Sequence, residues 1–402
     1  MKAIIFIGTN KSGSSCEAIT YAETMHYYTV LLTNNSSFIE KRSQFPHVHL
    51  MMLCNIDSID ETKNTIRQLM ESDLDICAIV SFIDPYCYSA SVLARDFGLK
   101  HFSSAAICVM LDKTKSREIL AGSPYVPYYY AISDDEDPDR ETVETKLPLV
   151  LKAPSSAGSK DVYLAQTLGQ YEEAALALQK KYPNGRILAE EYLDGPQYLV
   201  ETVTVNGRVN IIAIIAQEIT FTGRFIITGY QMILDHENAT CASLKKAVAS
   251  IVSRHGMHEG ACHLEMRYVK GAWKLVEANP RISGGAMNAF IETAYGFSLV
   301  GETLKLALGP EPNFTHRCEN ETFLQYVIVP QGGILKRVTG KNRALDCPGV
   351  AKVYIKPKKG SLLMPPISMA YRYAYVIATG QTSENARENA KHAAAQIDFH
   401  LC

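Results

Sequence analysis

Positive charge is not in surplus in this chain. Lys and Arg number 40 against 42 Asp and Glu, a formal net charge of -2 over 402 residues. Without a basic excess there is no footing for a nucleic-acid partner. Long apolar runs are missing too. Met1 to Gly8 is too short for a signal-peptide core or a spanning helix, and no later run is long enough and free enough of charge to cross a bilayer. The ten cysteines include no C-x-x-C pair, and no Cys/His group has zinc spacing. This reads as reduced, buried thiols in a cytoplasmic protein with no membrane partner. Internal repeats and low-complexity segments are absent. So is the G-x-x-x-x-G-K-[ST] pattern of a P-loop. The first loop, Gly8 to Gly13, lacks G-x-G-x-x-G spacing, which weighs against a nicotinamide oxidoreductase.

What is present is ordinary globular material, 47% hydrophobic and 20% charged, enough for two or three packed domains. Residues 3–7, 30–32, 49–54 and 76–82 read as strands, with helices at about 16–26 and 60–70. This β-α alternation predicts a parallel sheet covered on both faces. The loops that end its strands, Gly8 to Gly13 and Ser81 to Tyr86, are candidate ligand sites at the carboxyl edge, the second balanced against plain turn chemistry at Asp84-Pro85. Asp112 is placed to cap a helix over 112–121. The acidic loop Ser133 to Pro138 reads as solvated surface. A strand over 147–153 leads into the small-residue loop Pro154 to Ser159. A helix follows at 170–181, and then a strand at 187–193. Asn206-Gly207 joins two long strands, 198–205 and 209–217, as a hairpin. After about residue 310, short strands at 323–330, 351–355 and 371–378 precede a helix capped by Thr382. Together these predict a smaller C-terminal domain.

The residues that suggest chemistry lie at 261–281. Strands 261–268 and 273–278 flank Gly271, and Glu265 and Glu277 are equidistant from it. A three-residue loop at 270–272 would set the two carboxylates directly opposite, with β-carbons roughly 5 Å apart. Opposed carboxylates need a cation, a shared proton or solvent. Hard oxygen ligands suit magnesium, which takes one or two carboxylates together with substrate phosphates. Extended backbone would carry Glu277, Asn279 and Arg281 on one face. The competing reading is a surface hairpin with solvated acids. Lys152 ends an apolar strand just before a loop whose N–H groups and hydroxyls suit phosphate, and Lys113 is a second candidate cation. His255, His258 and His263 lie nearby in sequence and read as structural, so no general base is assigned. Arg224 reads as a loop tip, and Thr228 to Tyr230 as the wall of a substrate pocket.

In this order the pieces resemble the ATP-grasp superfamily, and within it the carboxylate-amine ligases such as L-amino-acid ligases. The most specific element is Glu265 with Glu277-Ala278-Asn279-Pro280-Arg281. The resemblance covers nearly the whole chain. It implies a multidomain α/β and α+β protein: a Rossmann-like domain over 1–108, an ATP-grasp domain over 109–310 with a lid at about 122–194, and a C-terminal α+β domain over 311–402.

For ATP, the resemblance implies Lys113 and Lys152 on the α- and β-phosphates. Ser156, Gly158 and Ser159 belong to the loop that closes over the triphosphate. Glu190, Glu191, Tyr192 and Leu193 form the hinge that holds adenine. Glu265, Glu277 and Asn279 would bind two magnesium ions, with manganese as a substitute. Arg281 would stabilise the acyl-phosphate and tetrahedral intermediate, and Ser283, Gly284 and Gly285 would approach the substrate carboxylate.

Two positions depart from the pattern. Gln197 stands where relatives often have the Glu that binds the ribose; an amide oxygen can still accept that hydrogen bond, without the charge. Asp161 stands where they often have Gly. The expected activity is ATP-dependent amide or peptide bond formation between a small carboxylate and an amine, with amino acids as the expected substrates, releasing ADP and phosphate, and with a homodimer common among relatives. A purine-type ligase, a carboxylase and a nucleotide-binding sensor are the alternatives.

Overall fold

The computed structural model describes residues 1–132, 138–153, 161–183, 185–221 and 224–402. Ser156, Gly158 and Ser159, and most of the acidic loop, lie outside the described residues.

The N-terminal sheet is parallel, in the order β3-β2-β1-β4: β1 (Lys2–Ile7), β2 (Tyr28–Thr33), β3 (Leu50–Leu53) and β4 (Asp75–Val80). Both faces are covered. Ala3, Ile5 and Ile7 pack into one cluster while Ile4 and Phe6 pack into another, which is why β1 reads as an unbroken apolar run. The Ser81 to Tyr86 segment leads straight into a helix, Asp84–Asp96, with Pro85 in its first turn.

A second sheet, antiparallel in the order β5-β8-β6-β7, comprises β5 (Tyr129–Ile132), β6 (Leu149–Lys152), β7 (Val162–Ala165) and β8 (Ile187–Glu191). Asp161, just before β7, has a left-handed φ of 55° and is held by Lys181 and the Tyr182 hydroxyl, each at 2.7 Å. Glycine adopts that backbone conformation without strain, which fits the Gly that relatives often carry at this position.

The central sheet has eight strands. Five are β9 (Gln197–Val205), β10 (Arg208–Phe221), β11 (Phe225–Ile233), β12 (Gly260–Val269) and β13 (Ala272–Asn279). The other three are β14 (Glu321–Val327), β16 (Val350–Ile355) and β18 (Ala374–Gly380), in the overall order β13-β12-β9-β10-β11-β14-β18-β16. The C-terminal strands thus continue the central sheet through β11 and β14. Only β15 (Gly333–Thr339), β17 (Leu362–Leu363) and β19 (Asp398–Leu401) form a separate sheet. Among the described residues, no helix is long and apolar enough to cross a membrane.

Alternation along β9, β12 and β13 separates the two faces of this sheet. Val200, Cys262, Leu264, Met266, Leu275 and Ala278 pack against the helix Ala239–Arg254. Gln197, Glu201, His263, Glu265 and Arg267 alternate with these residues and face the other way. The Asn206-Gly207 hairpin forms as expected, both residues having positive φ.

The second hairpin differs from the sequence reading. Val269 pairs with Ala272, so the turn is the two residues Lys270 and Gly271, at φ 48° and 82°, and not a three-residue loop. The register then shifts between Glu265 and Met266, and β13 contributes Val276 as an extra residue. The bulge restores the pairing of Glu265 with Glu277. The two carboxylates are opposed as expected, but a bulge brings them together, not the turn.

Candidate active site

A cleft of about 950 Å³ lies between the second sheet and the central sheet, with Met369 at its edge. Lys113, Lys152, the hinge residues Glu190 to Leu193, Gln197, Glu265 and Glu277 all line it. Its apolar walls include Val150, Val162, Ile219 and Ile227, and Tyr192 is stacked at 6.0 Å on Phe225. Such a slot accepts a planar base at one end and charge at the other.

Lys113 opens the helix Lys113–Ile119. Asp112 caps that helix, accepting from the backbone N–H of Thr114 at 2.9 Å and of Lys115 at 3.2 Å. The Lys113 ammonium is 2.9 Å from Glu277 Oε1. One helical turn later stands Arg117, which the sequence reading did not single out. It is 1% exposed. Its Nε donates to Glu190 Oε1 at 2.5 Å and its Nη2 to the Val276 carbonyl at 2.6 Å. Lys152 pairs with the other Glu190 oxygen and reaches the same carbonyl at 3.4 Å. The carbonyl of the bulged residue is therefore a shared acceptor for two buried cations. Burial works to raise the Glu190 carboxyl, but Arg117 and Lys152 together hold it below the usual range. Glu190 thus orients Lys152, while Glu191 accepts from Tyr128 N at 2.9 Å.

Gln197 is held at both ends of its amide. The oxygen accepts from Arg267 Nε at 2.8 Å and the nitrogen donates to Glu265 Oε2 at 2.9 Å. That network uses the oxygen expected to face a ribose and ties Gln197 to a carboxylate of the opposed pair. Close packing fixes the approach to β9: a β-carbon on Gly195 would fall 2.0 Å from the Tyr268 carbonyl oxygen. Burial and the charge of Glu277 push Glu265 up to about 7. Burial acts on Glu277 in the same direction, but Lys113 and Lys152 hold it low. One carboxylate is thus fixed as an anion, and its partner is poised to ionise when a cation arrives. Asn279, two residues past Glu277 on β13, pairs in register with His263. Among the described residues no group of three or more His, Cys, Asp or Glu gathers as a closed cage. Two carboxylates and a carboxamide still fit magnesium, which keeps several waters and phosphate oxygens.

Arg281 does not line this cleft. Pro280 turns the chain, and the Arg281 guanidinium pairs with Asp84 at the start of the helix Asp84–Asp96. Arg281 Nε and Asp84 Oδ1 are buried without a hydrogen-bond partner among the described residues. Ser283 continues this end of the site. Its N–H donates to Glu201 at 3.1 Å, its carbonyl accepts from Ser14 Oγ at 2.6 Å, and its own Oγ is buried with no partner among the described residues. Gly13 packs on Gly285 so closely that a β-carbon at 13 would lie 2.8 Å from Gly285 N. Two loops of the parallel sheet, ending β1 and β4, therefore meet the 281–285 segment. Burial pushes Glu201 up to about 7, and burial with the Arg281 charge takes His263 down to about 4. His263 accordingly stays neutral, 3.0 Å from the Arg281 carbonyl, as a structural residue. Arg224 lines the cleft, 4.5 Å over Tyr163. Tyr230 is buried edge-on to Tyr326.

Comparison with known proteins places these features. Residues 145–289 match a family model described as ATP-grasp domain, and residues 325–401 match one described as L-amino acid ligase C-terminal domain 2. An uncharacterized protein, y4rH, of Sinorhizobium fredii is 24% identical over 342 residues, 81% of this chain and 69% of that protein. An L-arginine-specific L-amino acid ligase of Bacillus subtilis is 20% identical over 293 residues, 71% of this chain and 70% of the relative. The solved structure of an L-amino acid ligase from Bacillus licheniformis superposes with a TM-score of 0.85 at 19% identity, covering 100% of this chain and 99% of that one, a likeness of fold.

Proposed function

We infer that this chain is an ATP-grasp carboxylate-amine ligase that joins two amino acids through an acyl-phosphate, releasing ADP and phosphate. The observation that carries the reading is the opposed pair Glu265 and Glu277, set at the charged end of an apolar-walled slot and flanked by Lys113 and Lys152. The match of residues 325–401 to the L-amino acid ligase model favours amino acids over a purine-type substrate.

A carboxylate repels nucleophiles, and transfer of the γ-phosphoryl group converts it into an electrophile with a good leaving group. The chain's task in such a transfer is positioning and electrostatics. The slot around Tyr192 and Phe225 takes the base. Lys152, oriented by Glu190, and Lys113, released from Glu277, take phosphate oxygens. Glu265, Glu277 and Asn279 would hold magnesium, which when bound neutralises charge on the β- and γ-phosphates. The Ser283 Oγ, with no hydrogen-bond partner among the described residues, and the loop Ser283 to Gly285, at the start of the helix Met287–Tyr295, take the substrate carboxylate. Arg281, whose Nε has no hydrogen-bond partner among the described residues, stabilises the oxyanion that develops when the amine attacks the acyl carbon. Asp84 holds Arg281 in place for that role.

The test is incubation with ATP, magnesium and pools of amino acids. Amino-acid-dependent ADP and phosphate support the ligase. AMP and pyrophosphate would overturn the acyl-phosphate route, and nucleotide binding without turnover on any pool would favour a sensor.

A further inference from the structure

A second cavity, of about 910 Å³, adjoins the cleft, and Met369 lines both. Three separate parts of the chain build it. The helix Ser14–Thr24 presents Glu17 and Thr20, the 285–286 segment presents backbone, and the C-terminal strands present tyrosines and cations. Alternation explains the last group. Lys352 and Tyr354 on β16, with Lys356 just beyond it, stand two residues apart and share a face. Tyr354 stacks on Tyr375 of β18 at 5.2 Å.

The charges in this cavity are unbalanced. Lys352, Lys356 and Arg372 line it, against the single carboxylate of Glu17. Arg372 lies 3.8 Å over the Tyr326 ring and donates to the Ile227 carbonyl at 3.3 Å. Burial works against the Arg372 charge, and Tyr326, Tyr230 and Glu265 nearby favour it. Lys356 stands at the exposed rim and donates to the Ala370 carbonyl at 3.0 Å. Lys352 is half-buried, and its charge acts on Glu17. Glu17 Oε2 is buried with no hydrogen-bond partner among the described residues, and Glu292 lies near enough to act on it without lining the cavity. Gly285 keeps the cavity open toward the carboxylate loop. At its φ of 66° a β-carbon would meet only Tyr326 Oη, at 3.6 Å.

A zwitterionic amino acid with a neutral side chain brings one cation and one anion. It would match Glu17 and one positive group, leaving two of the three lining cations unmatched by the ligand. Like charges gathered around one cavity repel, and a second anion on the ligand offsets that repulsion. We propose that this cavity receives an amino-acid substrate with an anionic side chain, carboxylate or phosphate, with Lys352 and Lys356 on the side-chain anion and Glu17 on the α-ammonium. The assignment rests on the amino-acid ligase reading for its place in the reaction, though binding can be measured without turnover.

The experiment is calorimetric titration of the full chain, with magnesium and a non-hydrolysable ATP analogue, against isosteric pairs: L-glutamate with L-glutamine, and O-phosphoserine with serine. The expected result is at least tenfold tighter binding of one or both anions than of the neutral partner, and which pair shows it identifies the anion. Lys352→Met should bring that ratio down at least fivefold, while Lys352→Arg preserves it. Equal or tighter binding of the neutral member in both pairs would overturn the proposal, as would an unchanged ratio in a folded Lys352→Met protein. Discrimination without any ATP turnover would support the cavity assignment and contradict the ligase reading. Turnover confined to neutral amino acids, with no binding of either anion, would do the reverse.

Discussion

The two ends of the site are built in different ways. The proposed nucleotide end is densely paired: Arg117, Lys152 and Glu190 are buried together, and the Val276 carbonyl anchors both cations. The acyl end is assembled from loops of the parallel sheet, the 281–285 segment and the C-terminal strands, and it retains buried donors and acceptors with no partner among the described residues at Asp84, Arg281 and Ser283. Unsatisfied buried groups carry a free-energy cost, and they persist where a ligand will complete them. On the proposed reading, ATP would meet a surface organised in advance, whereas the substrates would complete one that is not.

The largest test of this contrast falls on the nucleotide end. Glu277→Ala removes one of the opposed carboxylates and its ion pair with Lys113. Turnover should fall by roughly a thousandfold or more, on the scale seen when a transition-state charge partner is lost, with a circular dichroism spectrum like that of the parent. Near-normal turnover would remove the metal assignment. Arg117→Met tests whether the buried pairing organises the cleft. It leaves Glu190 with a single cation and should cost about 3–5 kcal/mol of stability, read as a lower melting temperature, together with a raised KM for ATP. A variant with unchanged stability and KM would show that Lys152 alone positions Glu190.

The smallest expected effect belongs to the acyl end. Glu201 has a folded-state pKa of about 7, above its ordinary value of 4.5. The native state therefore binds more protons than the unfolded chain between those values, and this group lowers stability as pH rises through that window. His263, down at about 4 from 6.5, acts in the opposite direction over much of the same range. Glu201→Gln keeps an acceptor for the Ser283 N–H and removes the first slope. Denaturation from pH 4.5 to 7 should show stability rising more steeply with pH, by up to about 1.4 kcal/mol per unit. An unchanged slope would mean that Glu201 does not titrate in this range.

How much of this was legible follows from the range of the interactions. The parallel sheet, the Asn206-Gly207 hairpin and the Asp112 cap follow from local patterns of period, turn chemistry and side-chain oxygen. The opposed glutamates were legible as well, though for a mistaken reason: the sequence reading placed a three-residue loop where the chain has a two-residue turn and a bulge. A bulge has no residue signature of its own, yet its carbonyl anchors the buried cations. Arg117 went unread because its partners are 73 and 159 residues away, and the Asp84–Arg281 pair spans 197. Its only local signal was its place one turn after Lys113. The expected C-terminal unit is joined to the central sheet by pairing between β11 and β14, a contact between distant segments that no local pattern encodes.

The acyl-phosphate is the central chemical claim, and isotope transfer tests it most directly. With an amino acid labelled with oxygen-18 in its carboxylate, plus unlabelled ATP, magnesium and an acceptor amine, one labelled oxygen should appear in the released inorganic phosphate and none in the nucleotide. Label recovered in AMP would contradict the route through Glu265, Glu277 and Arg281, and so would amide formation that leaves the phosphate unlabelled.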